Sequence, residues 1–144
     1  MTLLVDGEVE TPRTLTFEAL AALPRQVPDV GTLIAGKQGG AVWLDAVLAA
    51  AGAKASARFA TLVADDGKFA VSVPLDALRT NAIVAYRLGD ASLPEKQGGP
   101  IRFYVVDAKA CGADSGVDAC ANVKRLGRIR LTAAREPDVG HDHS

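Results

Sequence analysis

Ile83-Val84-Ala85-Tyr86-Arg87-Leu88-Gly89-Asp90-Ala91-Ser92-Leu93-Pro94-Glu95-Lys96-Gln97-Gly98-Gly99-Pro100-Ile101-Arg102 is the stretch from which the architecture is read. Ala82 to Arg87 is rich in β-branched and aromatic side chains and reads as a strand. Leu88 to Ala91 then makes a turn, and Ser92 to Pro100, dense in proline and glycine, makes a loop. Ile101 to Val106 returns as a second buried strand.

Upstream, short strands alternate with shorter helices. Residues 3–5 and 8–10 flank Asp6-Gly7, a pair that tolerates positive φ and predicts a tight reversal. Thr16 is placed to cap a helix over Phe17 to Leu23, which Pro24 stops. Between Pro24 and Gly40 only Val30 to Ala35 is apolar enough for a strand. Val42 to Ala51 predicts a second helix with Leu44, Val47, Leu48 and Ala51 on one stripe and Gly52 as its stop. Phe59 to Asp65 and Phe69 to Val73 flank Asp65-Asp66-Gly67-Lys68, a hairpin signal, and Pro74 opens a helical turn that aligns Leu75 with Leu78. Downstream, Val123 to Leu131 is the last strand. Strands with inserted helices and no regular βαβ alternation predict an α+β fold with a mixed β-sheet.

The 144 residues suit one domain, assigned to 1–135 with a flexible polar tail at 136–144. Lys+Arg 16 against Asp+Glu 17 leaves a net charge of -1, so no global field recruits nucleic acid or an anionic membrane. The most apolar run, Ala41 to Ala53, is broken by Asp45 and falls short of the ~20 residues a bilayer requires. No secretory signal opens the chain, which reads as cytoplasmic as written and extracytoplasmic if a signal peptide has been removed.

His141 and His143 stand in the C-terminal tail, beyond the last packed element, which argues against a buried acid–base histidine and against a fixed metal site. Cys111 and Cys120 enclose eight residues, a spacing that matches no redox or zinc pattern; a disulfide leads, with two free thiols open beside it. Ten of the sixteen basic residues fall between Arg79 and Arg135, and Lys124, Arg125, Arg128, Arg130 and Arg135 run without an intervening acid. Period-two alternation puts Lys124, Leu126, Arg128 and Arg130 on one face. Such a stripe grips an anion or simply guards a solvated edge strand. Gln97-Gly98-Gly99-Pro100 precedes a strand and Gly36-Lys37-Gln38-Gly39-Gly40 lacks Walker spacing, so neither is a phosphate loop of the usual kind.

Taken in order, several segments resemble the sulfite-oxidase-type molybdopterin-binding domain. They are Val5 to Leu20, Gly40 to Leu48, Asp65-Asp66-Gly67 before Val71 to Leu75, Ile83 to Arg102, and Val123 to Leu131. The resemblance implies that family's mixed-sheet fold and a cleft that holds the pyranopterin of a molybdenum cofactor. It places a metal-ligating cysteine within Asp29 to Ile34, where the chain reads Asp29-Val30-Gly31-Thr32-Leu33-Ile34. Thr32 is no substitute, because a soft thiolate tunes that metal. The expectation is therefore the scaffold without redox chemistry and without a metal. Its former cofactor cleft, lined by Lys96, Gly98, Gly99, Arg102, Lys124 and Arg128, would take a small anionic ligand, a pterin or a protein partner. No cofactor is expected on this reading, though molybdopterin stays open by resemblance. The rival is a minimal molybdopterin-dependent oxidoreductase that ligates metal through Cys111 or Cys120.

Overall fold

The computed structural model describes residues 2–106 and 123–136. The 107–121 loop with Cys111 and Cys120, and the tail from 137 with both histidines, lie outside the described residues. Two five-stranded sheets enclose the main core. The first runs in the order β2 (Arg13–Thr16), β1 (Thr2–Gly7), β10 (Leu126–Thr132), β5 (Phe59–Ala64), β6 (Ala70–Pro74). β1 and β10 are parallel and the other pairs antiparallel. The second joins β3 (Gln26–Val27), β4 (Gly40–Trp43) and β7 (Ala82–Leu88), whose other edge carries β8 (Ala91–Ser92) and β9 (Arg102–Val105). This is the mixed-sheet α+β fold expected.

Alternation along the central strand assigns its two faces. Val42, Val84 and Phe103 are in register and face the main core, with Leu3, Leu20, Leu48, Leu62 and Ile129. Ala41, Ala85 and Arg102 form the next row on the opposite face, where Val27, Val30, Ile83, Leu93 and Tyr104 make a smaller cluster. Two short helices seal the main core. In α1 (Phe17–Ala21) the Thr16 hydroxyl accepts from Ala19 N at 3.2 Å, the cap that the sequence implied. α2 (Leu44–Ala51) ends on Gly52 in the left-handed region at φ 71.

Four expectations need correction. Asp6-Gly7 is no reversal: β1 runs through it, and the turn comes later, before β2. Val30 to Ala35 is not a strand, because Asp29 caps a 3-10 turn over Val30–Thr32 by accepting from Gly31 N. The second helix begins at Leu44, since Val42 and Trp43 are taken into β4 by pairing with β7. The face assignment of the last strand holds for Arg128 and Arg130 against Ile129 and Leu131 but fails at Leu126. A register shift between Leu126 and Arg128 places Gly127 in a bulge, so Leu126, Ile129 and Leu131 are buried together while Arg128 and Arg130 point outward.

The outward Arg128 reaches back to β1. Its Nε and Nη2 donate to the two carboxylate oxygens of Asp6 at 3.0 and 2.6 Å, and that hydrogen bond raises the arginine pKa. Both groups keep contact with water, which limits the gain. Arg128→Met is expected to lower stability by about 1 kcal/mol in urea unfolding, a modest loss set by the bidentate geometry.

Candidate anion-binding cleft

The loop between β8 and β9 and the approach to β10 are stitched together by backbone. Arg125 N donates to Gly98 O at 2.8 Å, Leu126 N to Ile101 O at 2.7 Å, and Phe103 N to Val123 O at 3.0 Å. The chain thus runs beside the second sheet before it bends, at Arg125 with φ 53, into the first. This path brings Lys124 against Gly98. A Cβ at Gly98 would meet Arg102 Cδ at 2.6 Å and Lys124 Cγ at 3.1 Å, so the glycine is the gap between two cations, held at φ 89.

Lys37, Lys96 and Arg102 line one polar cleft of about 230 Å³, with Gly36, Gln38, Gln97 and Tyr104 completing its wall. Among the described residues no acidic side chain lines it. Arg102 is 7% exposed, donates Nη1 to Gln97 O at 3.1 Å and lies over the Tyr104 ring at 4.7 Å. It is a fixed part of the floor rather than a mobile tether. Burial pushes the Tyr104 phenol above its ordinary pKa, against the opposing charge and hydrogen bond of Arg102. Lys37, Lys96 and Lys124 are exposed, and none forms an ion pair with a described residue.

Of the residues singled out from sequence, Lys96, Gly98, Arg102 and Lys124 come together here. Gly99 lies under them, its backbone pressed against Leu93 O. Arg128 does not join them: it stands on the first sheet, engaged with Asp6. Lys37 and Tyr104 were missed, although Lys37 within Gly36-Lys37-Gln38-Gly39-Gly40 was the available signal. A second cleft, of about 500 Å³, is lined by Gln26, Asp29, Gly39, Gly40, Arg87 and Gly89 among others. Its charged groups are spent locally, Arg87 on Gly89 O and Asp90, and Asp29 on Gly31 N.

Residues 29–34, where the resemblance puts a thiolate, offer no soft donor. The Asp29 carboxylate accepts from Gly31 N at 2.9 Å and Thr32 Oγ1 donates to Asp29 O at 2.7 Å, so both polar side chains turn into their own 3-10 turn. Among the described residues no three His, Cys, Asp or Glu side chains gather as a metal set. The described residues supply no thiolate, and both cysteines of the chain lie outside them. No helix of the described residues is long and apolar enough to cross a membrane.

Comparison with known proteins bears on the family and the fold. The family described as "Oxidoreductase molybdopterin binding domain" matches residues 35–139. Comparison with curated proteins gives no match. Among solved structures, the sulfane dehydrogenase SoxCD from Paracoccus pantotrophus superposes with a TM-score of 0.62 at 21% identity, over 93% of this chain and 38% of that one. This likeness concerns the fold, and the chain spans well under half the length of that protein. With more than two thirds of its length inside the family match, the chain belongs to the oxidoreductase molybdopterin-binding domain family.

Proposed function

We propose that this chain is a binding module built on the family's scaffold, holding a small anionic ligand without redox chemistry. One observation carries the reading: among the described residues, Lys37, Lys96 and Arg102 converge on a polar cleft that no carboxylate lines, and Gly98 stands between Arg102 and Lys124. Like charges brought this close repel one another in the free protein, and an anion between them relieves that repulsion. The buried Arg102 gives direction, and the exposed lysines supply attraction that salt screens.

Titration calorimetry with inorganic pyrophosphate tests it. Binding is expected to weaken as salt rises, and Lys96→Ala and Lys124→Ala are each expected to weaken it about 3–10-fold, tenfold being about 1.4 kcal/mol. Absence of binding, or binding indifferent to both lysines, overturns the assignment. Stoichiometric molybdenum with a thiolate absorption band, in protein from a host that makes the cofactor, overturns the non-redox part.

A further inference from the structure

The outer face of the first sheet, remote in the fold from the basic cleft, carries a polar row. Asp6, Arg130, Thr61 and Ser72 are in register across β1, β10, β5 and β6. Alternation directs Thr61 and Ser72 away from the core, yet they are 0% and 1% exposed. What covers them is the chain just past β10. Glu136 N donates to Ser72 Oγ at 3.1 Å, Arg135 Nη1 donates to Ser72 O at 2.8 Å, and the Arg135 guanidinium lies 5.4 Å from the centre of the Phe59 ring. The Glu136 carboxylate accepts from Arg130 Nε at 2.7 Å.

One polar atom under this turn is unsatisfied. The Thr61 hydroxyl is buried without a partner at good hydrogen-bond geometry, and it lies close enough to the Glu136 carboxylate to favour its charged form. A buried hydroxyl left in that state is costly, and a carboxylate seated slightly deeper satisfies it.

We propose that Arg130 and Thr61 form a carboxylate-binding site which the chain fills with its own Glu136, so that residues 134–136 act as a displaceable strap over a seat that also takes a carboxylate in trans. The charge pattern supports this. The groups facing Glu136 are Arg130 and, farther off, Arg128 on β10, with Thr61 from β5 and Ser72 from β6; Asp6 on β1 is engaged by Arg128. Burial raises the Glu136 pKa, but the hydrogen bond of Arg130, the nearby Thr61 hydroxyl and the charges of both arginines outweigh it and hold the carboxyl below its ordinary value. The strap's contribution is therefore complete above the unfolded carboxylate pKa and fades as pH falls through the lower folded value.

Glu136→Ala empties the seat and leaves the rest of the strap in place. Its melting temperature is expected to fall by about 2–4 °C near neutral pH. Acetate, compared with chloride at matched ionic strength, is expected to restore part of that loss. Wild type, its seat filled, is expected to show no acetate-specific shift, and Glu136→Ala combined with Arg130→Gln none either. An acetate shift absent from Glu136→Ala, equal in wild type, or retained without Arg130 overturns the proposal. Should Glu136→Ala fail to fold, Glu136→Gln carries the test through its pH profile. A stability gap to wild type that closes on acidification supports the seat, and a gap constant with pH overturns it.

Discussion

Gly7→Ala is expected to lower the unfolding free energy by about 3–5 kcal/mol, the sum of a steric collision and a backbone penalty. Gly7 ends β1 opposite Leu131 of β10, the one parallel pairing in the first sheet among the described residues. A Cβ there would sit 2.1 Å from Leu131 O and 2.9 Å from Leu131 N, and both are backbone atoms of a central strand. Glu8 N donates to Leu131 O at 2.8 Å, so separating the strands to make room breaks that bond too. The residue also stands at φ 90, where an L side chain is strained whatever the space. Gly67→Ala separates the two costs. Gly67 has φ 75 and an added methyl would meet nothing within 4 Å, so its replacement is expected to cost about 1 kcal/mol from the backbone alone. Equilibrium urea unfolding of both variants decides the matter. If Gly7→Ala costs no more than Gly67→Ala, β1 does not pair with β10 in this register.

That glycine shows where sequence reading reached and where it stopped. Asp65-Asp66-Gly67-Lys68 was legible as a hairpin turn because β5 and β6 are its immediate neighbours and local chemistry sets the geometry. Asp6-Gly7 carries the same local signal and means something else, since its cause is Leu131, brought alongside by the fold. Val42 and Trp43 fit the apolar helical pattern, yet pairing with Val84 and Ile83 of β7 draws them into a strand. The cleft divides in the same manner. Lys96, Gly98 and Arg102 lie within seven residues and could be read together, whereas Lys37 joins them only in three dimensions. The basic stripe of the last strand looked continuous. The bend at Arg125 leaves Lys124 beside Gly98, and the bulge at Gly127, where a Cβ would meet Asp65 Cα at 2.6 Å, separates Leu126 from the face on which Arg128 reaches Asp6.

Gly99→Ala is expected to combine a stability loss of about 3 kcal/mol with a loss of pyrophosphate affinity of about tenfold or more. A Cβ on Gly99 would lie 1.7 Å from Leu93 O and 2.4 Å from Leu93 C, an overlap that no rotamer relieves because both atoms are main chain. Gly99 N also donates to Pro94 O at 3.0 Å, which ties the loop across the turn that carries Lys96. Room for the methyl comes only if that turn shifts as a unit. Lys96 moves with it, and so does Gly98, on whose carbonyl Arg125 N and therefore Lys124 depend. Gly98→Ala makes the informative contrast. Its Cβ would meet the side chains of Arg102 and Lys124 rather than main chain, so the collision falls on the cations themselves and displaces them. Calorimetric titration of the folded variants, beside their urea midpoints, separates these effects. Unchanged affinity in Gly99→Ala at reduced stability would mean that the turn holds the sheet together without positioning the cations, and the cleft would lose its claim to be a preorganised site.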